Sequence, residues 1–238
     1  MAPSTRLALG PGEDNVYGVV ALPGAVVASL ALFGVSCAIA LFNFSRGEAA
    51  SEKGVSASAI PAIIALSRLP QPRTRMRCAA TLCKLASVED NVNLMVEEGV
   101  VPAFIDMLQT RDQGIVKHCC AALCRLAHVG SSAVTIAKGA LPHVIAGCSH
   151  RSDATTRQSC CAVLSAVSAD EPCRQLLCSM GTLQALVSLA KDRTADGTTQ
   201  LRCAVAFANL SSEVMVQREM VLAGIVPVVA ELSNSYCE

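Results

Sequence analysis

Tryptophan is absent from this sequence, and aromatic residues make up only 3% of its 238 positions. Its core must therefore be built from small and aliphatic side chains. Ala and Leu favour helix, and short side chains let helices approach closely. Charge is also scarce. Only 16% of residues are charged, with 19 basic against 19 acidic, so the net charge is zero. That balance argues against nucleic acid or an anionic membrane surface as the main partner, since both select an excess of positive charge. The 13 cysteines include no C-x-x-C pair, their number is odd, and Met1 to Asp14 lacks a basic segment followed by an apolar run. A secreted disulfide framework is thus not expected, and a reducing, cytoplasmic compartment is.

Catalytic signatures are missing as well. The sequence has no phosphate-binding glycine loop, nucleotide fingerprint, H-E-x-x-H, G-x-S-x-G or calcium-loop pattern. His118, His128, His143 and His150 form no i, i+4 pair. Cys120 and Cys124 with a nearby histidine lack the ligand spacing of a zinc site. Cys148-Ser149-His150 reads as a loop with an ordinary thiol. The glycosylation sequons at Asn43 and Asn209 fall in expected helices and are discounted. No enzyme activity, cofactor or metal is expected.

What the sequence has in abundance is repetition. Cys37, Cys78, Cys119, Cys160 and Cys203 are separated by 41, 41, 41 and 43 residues. Each opens a similar segment, from CAIALFNFS through CAATLCKLA, CCAALCRLA and CCAVLSAVS to CAVAFANLS. Positions one, five and eight of every segment are apolar. Spacings of four and three put them on one face of a helix. A second signature precedes these helices: Gly99-Val-Val-Pro102, Gly139-Ala-Leu-Pro142, Gly181-Thr-Leu-Gln184 and Gly224-Ile-Val-Pro227, with a weaker form at Ser58–Pro61. Glycine ends one helix there, and proline suits the first turn of the next. The expected unit is a short helix, a glycine turn, a second helix, a loop and a longer third helix, about forty residues in all.

This pattern resembles the armadillo repeat family, on the strength of the G-[AVI]-[ILV]-P turn and the A-x-x-L-x-x-L-[AS] third helix over about residues 36–238. The resemblance implies an all-α, armadillo-type right-handed solenoid with about four full repeats and a partial repeat at each end. The expected organisation is a flexible tail at 1–15, a degenerate first repeat at 16–53 with a long apolar helix at about 25–46, and armadillo repeats over 54–238. Residues 15–45 carry no charged side chain, so a transmembrane span at about 25–45 is the alternative reading of that helix. Against it, Cys37 and Leu41 are in phase with the repeat. The last repeat has no third helix, which reads as a fragment of a longer array or as an end covered by a partner.

The resemblance further implies a concave groove lined by the third helices, a surface for an extended peptide. The seventh position of each third helix lies off the buried stripe and should face it. It reads Asn43, Lys84, Arg125, Ala166 and Asn209. Family members that grip a peptide backbone carry Asn there, and here only Asn43 and Asn209 do. The Trp that importin-α-like members place four residues earlier is replaced by Ile39, Ala80, Ala121, Ala162 and Val205, which argues against that mode of nuclear-signal binding. In its place stands a basic cluster of Arg77, Lys84, His118 and Arg125, flanked by Lys117 and His128. The expected function is a protein-interaction scaffold for an acidic or phosphorylated peptide or protein. A membrane-tethered adaptor and a purely structural segment of a longer array are the alternatives, with nucleus or membrane as other locations. Oligomeric state is open.

Overall fold

The computed structural model describes residues 53–110, 112–192 and 195–235, together with residues 34, 36, 37 and 40. Asn43, the expected tail and most of the expected helix at about 25–46, with its transmembrane alternative, lie outside the described residues. From residue 53 onward the described residues form twelve helices: α1 (Lys53–Ser67), α2 (Pro72–Leu85), α3 (Glu89–Glu97), α4 (Val100–Leu108), α5 (Gln113–Leu126), α6 (Ser132–Gly147), α7 (Ala154–Ser168), α8 (Glu171–Ser179), α9 (Thr182–Ala190), α10 (Gly197–Ser211), α11 (Val214–Leu222) and α12 (Ile225–Ser235). Among the described residues, no helix is long and apolar enough to cross a membrane.

The third helices are α2, α5, α7 and α10. Their stripes are closed off from water. Cys78, Leu82 and Leu85 in α2, Cys119, Leu123 and Leu126 in α5, Cys160, Leu164 and Val167 in α7, and Cys203, Phe207 and Leu210 in α10 are all buried. Burying each large aliphatic side chain is worth roughly 1.5–3 kcal/mol. Successive third helices pack on one another, α2 on α5, α5 on α7 and α7 on α10, and among the second helices α1 packs on α4, α4 on α6 and α9 on α12. Each unit thus buries its apolar face mainly against its neighbours, and the array is a solenoid. Of the five repeat cysteines, Cys37 is only half-buried, and the other four are buried.

Local chemistry sets the unit boundaries. The third helices α5, α7 and α10 start at an aspartate that caps their free N–H groups: Asp112 accepts from Gly114 N at 2.9 Å, Asp153 from Thr156 N at 2.8 Å and Asp196 from Thr199 N at 2.9 Å. Helix α2 starts instead at Gln71 without a side-chain cap, followed by Pro72. At the other end, a side chain from the next unit satisfies the last carbonyls. Asn91 Nδ2 donates to Leu85 O at 3.3 Å, Arg174 Nε to Ser168 O at 3.2 Å and Gln217 Nε2 to Ser211 O at 2.8 Å.

The glycine turn holds at three of the expected places. Gly99, Gly181 and Gly224 have φ of 78°, 81° and 74°, the left-handed region that turns the first helix into the second. At Gly139 the expectation fails. Helix α6 runs unbroken from Ser132 to Gly147, through both Gly139 and Pro142. The packing accounts for this. A Cβ at Gly139 would sit 2.7 Å from Ile105 Cδ1, so the glycine serves close approach of α6 to α4, with the backbone kept helical. Helix α1 likewise runs through Pro61. The first two helices of a unit are thus fused in α1 and α6, and separate in α3–α4, α8–α9 and α11–α12.

Candidate functional site

Third helices pack in a row, so the residues just off their buried stripe share one long face. At the seventh position Lys84 and Arg125 are exposed. Ala166 is 8% exposed, too short to emerge between its neighbours, contrary to the expectation that this position faces the groove. Asn209 is half-buried, and its Nδ2 donates to Ser168 Oγ at 3.0 Å. One of the amide's donors is thereby spent on tying α10 to α7.

Arg77 and Lys84 from α2 and His118 and Arg125 from α5 line a single depression of about 550 Å³. Met76, Ala80 and Cys83 form the rest of its α2 wall, and Ser87 lies just past the helix end. None of these lining residues is acidic. The flanking Lys117 is half-buried and His128 exposed, and neither lines the depression. Asn209 lies two third helices away along the row. Arg125 Nη1 makes a long contact of 3.4 Å to Ala121 O, within its own helix. Ser87 Oγ donates to Lys84 O at 2.6 Å and fastens the end of α2.

Protonation sharpens the picture. Burial, seconded by the charge of Lys117, lowers the His118 pKa below that of a free imidazole. At neutral pH His118 is therefore a neutral donor–acceptor, and the positive charge of the depression comes from Arg77, Lys84 and Arg125. Burial pushes the Cys83 thiol up, against the opposing pull of Arg125, Lys117 and Lys84, so it stays protonated. Cys83 is the residue that sequence reasoning missed. It is the sixth residue of its segment, next to Lys84, and its place could be read only once the neighbouring helix was known.

Two other constellations are chemically weaker. Ser188 Oγ lies 3.2 Å from His150 Nε2, and His150 Nδ1 lies 4.0 Å from Asp192 Oδ2. The order matches a nucleophile, base and carboxylate, but 4.0 Å is too long for the orienting hydrogen bond. Asp192 is instead ion-paired to Arg157 at 3.2 Å. The second constellation is a seam of buried thiols, with Cys120 Sγ 3.7 Å from Cys160 Sγ and Cys161 Sγ 3.5 Å from Cys203 Sγ. Hydrogen bonding to neighbouring sulfurs, and after it burial, hold Cys120, Cys148 and Cys161 protonated, as small core side chains. Among the described residues no group of three or more His, Cys, Asp or Glu is arranged to hold a metal ion.

Comparison with known proteins agrees with this architecture. The profile of the Armadillo/beta-catenin-like repeat matches residues 89–128, which span α3 to α5. No curated protein matches the chain. Among solved structures, a designed armadillo repeat protein is similar with a TM-score of 0.73 at 18% identity, covering 84% of this chain and 90% of the other. An engineered protein is similar with a TM-score of 0.73 at 19% identity, covering 87% and 88%. A designed armadillo repeat protein in complex with the peptide (KR)4 is similar with a TM-score of 0.71 at 17% identity, covering 82% and 83%. Residues 89–128 match the armadillo repeat profile, and the described residues have the fold of an armadillo repeat solenoid.

Proposed function

We propose that this solenoid is a non-enzymatic, cytoplasmic scaffold that holds an extended acidic or phosphorylated segment of a partner protein on its concave face. Lys84 and Arg125 are the centre of the site, with Arg77 beside them. The observation that carries this reading is the depression shared by Arg77, Lys84 and Arg125, with no carboxylate on its lining. Neighbouring third helices pack at roughly 8–10 Å. An extended strand rises about 3.3 Å per residue, so every third side chain advances by about one helix spacing. Acidic groups three residues apart can therefore meet Lys84 and Arg125 together. Arg125 can pair bidentately with a carboxylate or phosphate, while Lys84 acts as a point charge. Neutral His118 adds a hydrogen bond without adding charge. The similar designed protein whose ligand is (KR)4 binds a basic peptide. The sign of the charge here selects the opposite kind.

The test is fluorescence anisotropy with a labelled peptide carrying two phosphoserines three residues apart. Charge reversal by Lys84→Glu with Arg125→Glu should abolish saturable binding and leave the helical circular dichroism unchanged. Unaltered affinity of the reversed protein at low salt would make the basic cluster an ordinary solvated helix face.

A further inference from the structure

Gly147, the last residue of α6, breaks the repeat. In three other units its place is held by Met107, Leu189 and Leu232, all buried. Without a side chain here, α6 closes onto α7 until an added Cβ would sit 2.5 Å from Cys160 Sγ. The same glycine lines a cavity of about 400 Å³ between α5, α6 and α7, together with Val116 and Thr156. Those two residues stand four positions before Cys120 and Cys160, one helical turn away on the same faces. The cavity therefore lies one turn from this pair of thiols, with the bare backbone of Gly147 against the Cys160 sulfur.

The thiols beneath are grouped. Cys120 Sγ lies 3.7 Å from Cys160 Sγ across the α5–α7 interface. Hydrogen bonds from Cys120 and Cys148 hold the Cys160 thiol below its usual range, against burial and the charge of Asp153. A thiolate is the form of cysteine that attacks an electrophile. The cavity wall also carries polar groups from Gln109, His143 and Ser152, which suit a small hydrophilic molecule. Cys160 itself is 0% exposed, so only a reagent of nearly water size can reach it. The second thiol pair lacks this arrangement. Cys161 and Cys203 are closer, with sulfurs 3.5 Å apart. Beside them, however, Leu189 stands in the place of Gly147 and lines a smaller cavity of about 150 Å³.

We propose that hydrogen peroxide entering by the cavity at Gly147 oxidises Cys160, and that Cys120 then closes a disulfide with it. In the first step the Cys160 sulfur attacks one peroxide oxygen and the O–O bond breaks. The other oxygen leaves as water with the thiol proton, and the sulfur becomes a sulfenic acid. In the second step the Cys120 sulfur attacks the oxidised sulfur. The S–S bond forms, the S–O bond breaks, and a second water leaves with the Cys120 proton. Two thiols lose two electrons and two protons in all, and one peroxide becomes two waters. The product ties α5 to α7 and fixes two consecutive units against each other. A small thiol reductant reverses it by exchange. This inference is independent of the basic depression on α2 and α5, which needs no cysteine chemistry.

The test treats the reduced full chain with hydrogen peroxide, blocks remaining thiols with N-ethylmaleimide in denaturant, and maps the links by mass spectrometry without reduction. The first intrachain link should join Cys120 to Cys160, at least about tenfold faster than any link between Cys161 and Cys203, because reactivity follows thiolate character and access. Cys120→Ala should remove that link, leave Cys160 oxidised and leave the helical circular dichroism unchanged. Faster closure of Cys161 with Cys203 would show that proximity governs in place of access, and would overturn the inference. So would oxidation confined to the half-buried Cys83 and Cys124, or a Cys120–Cys160 link that forms only in unfolding concentrations of urea. A link from Cys160 to Cys148 in the unaltered chain would overturn the choice of Cys120 as partner.

Discussion

The two halves of the third-helix row share a backbone plan and differ at the seventh position of each helix. In α2 and α5 the seventh position is Lys84 and Arg125, both exposed, and the residue before each repeat cysteine is Arg77 or His118. In α7 and α10 the seventh position is a buried alanine and an asparagine that donates to Ser168, and the residues before the cysteine are Ser159 and Arg202. Arg202 itself reaches back to Gln158 O at 3.3 Å. In the first half Lys84 and Arg125 thus reach solvent at the seventh position, whereas in the second Asn209 and Arg202 turn inward to join adjacent helices. Repetition of the stripe guarantees the scaffold, while the unconstrained positions decide where along it anything binds.

The sharpest contrast to break is between the buried stripe and the groove position. Cys119→Asp places an unpaired carboxylate in the core and should cost roughly 3–5 kcal/mol, read from urea unfolding. Cys119→Ala should cost only about 1 kcal/mol, because little volume is lost. If both substitutions proved equally mild, the stripe would not be the core of the array.

Glycine provides the next contrast. Gly147→Ala should cost about 1–3 kcal/mol by overpacking, since the new methyl group meets Cys160 Sγ. Gly99→Ala meets nothing within 4 Å and is penalised only through its positive φ of 78°, at about 1–2 kcal/mol. Thermal melts of the two variants separate crowding from backbone strain. A smaller effect, about 1 kcal/mol, is expected for Asp153→Ala, which uncaps α7. The hydroxyl of Thr155 and the backbone N–H of Thr156 hold the Asp153 carboxyl down at about 2, below its free value of 3.8. Its folded pKa is depressed, so its contribution is complete above the free value and lost as pH falls from 3.8 through about 2. The wild-type acid transition over that window should flatten in Asp153→Ala. His118 works in the opposite direction. Its folded pKa lies below the free imidazole's 6.5, so stability falls as pH drops through that value, because the unfolded chain takes up the proton more readily. The least of these effects, His118→Gln should remove that part of the pH dependence in denaturant titrations.

The fold was largely legible because the stripe recurs four times among the described helices, at intervals of 41, 41 and 43 residues, and a buried stripe leaves few alternatives. The turn signature was legible only in part. Gly99 and Gly139 stand in nearly the same letters, G-V-V-P and G-A-L-P, yet one turns the chain and the other continues a helix. The difference lies in what rests on the glycine, Ile105 in the second case, and that contact is formed across units. The site was legible to a similar degree. The grouping of Arg77, Lys84, His118 and Arg125 follows from their phase on adjacent third helices. The role of Asn209 does not, because its partner Ser168 lies 41 residues away. The lowering of the His118 pKa is likewise invisible in the sequence, because it comes from burial against neighbouring helices.

The central claim is that an acidic segment sits on α2 and α5 and not farther along the row. A phosphopeptide with two phosphoserines three residues apart and a photo-reactive benzophenone between them tests it directly, with the crosslinked residues read by mass spectrometry. The account predicts crosslinks on Met76, Ala80 and Cys83 and loss of them in Lys84→Glu with Arg125→Glu. Crosslinks on α7 and α10 that survive the charge reversal would contradict it.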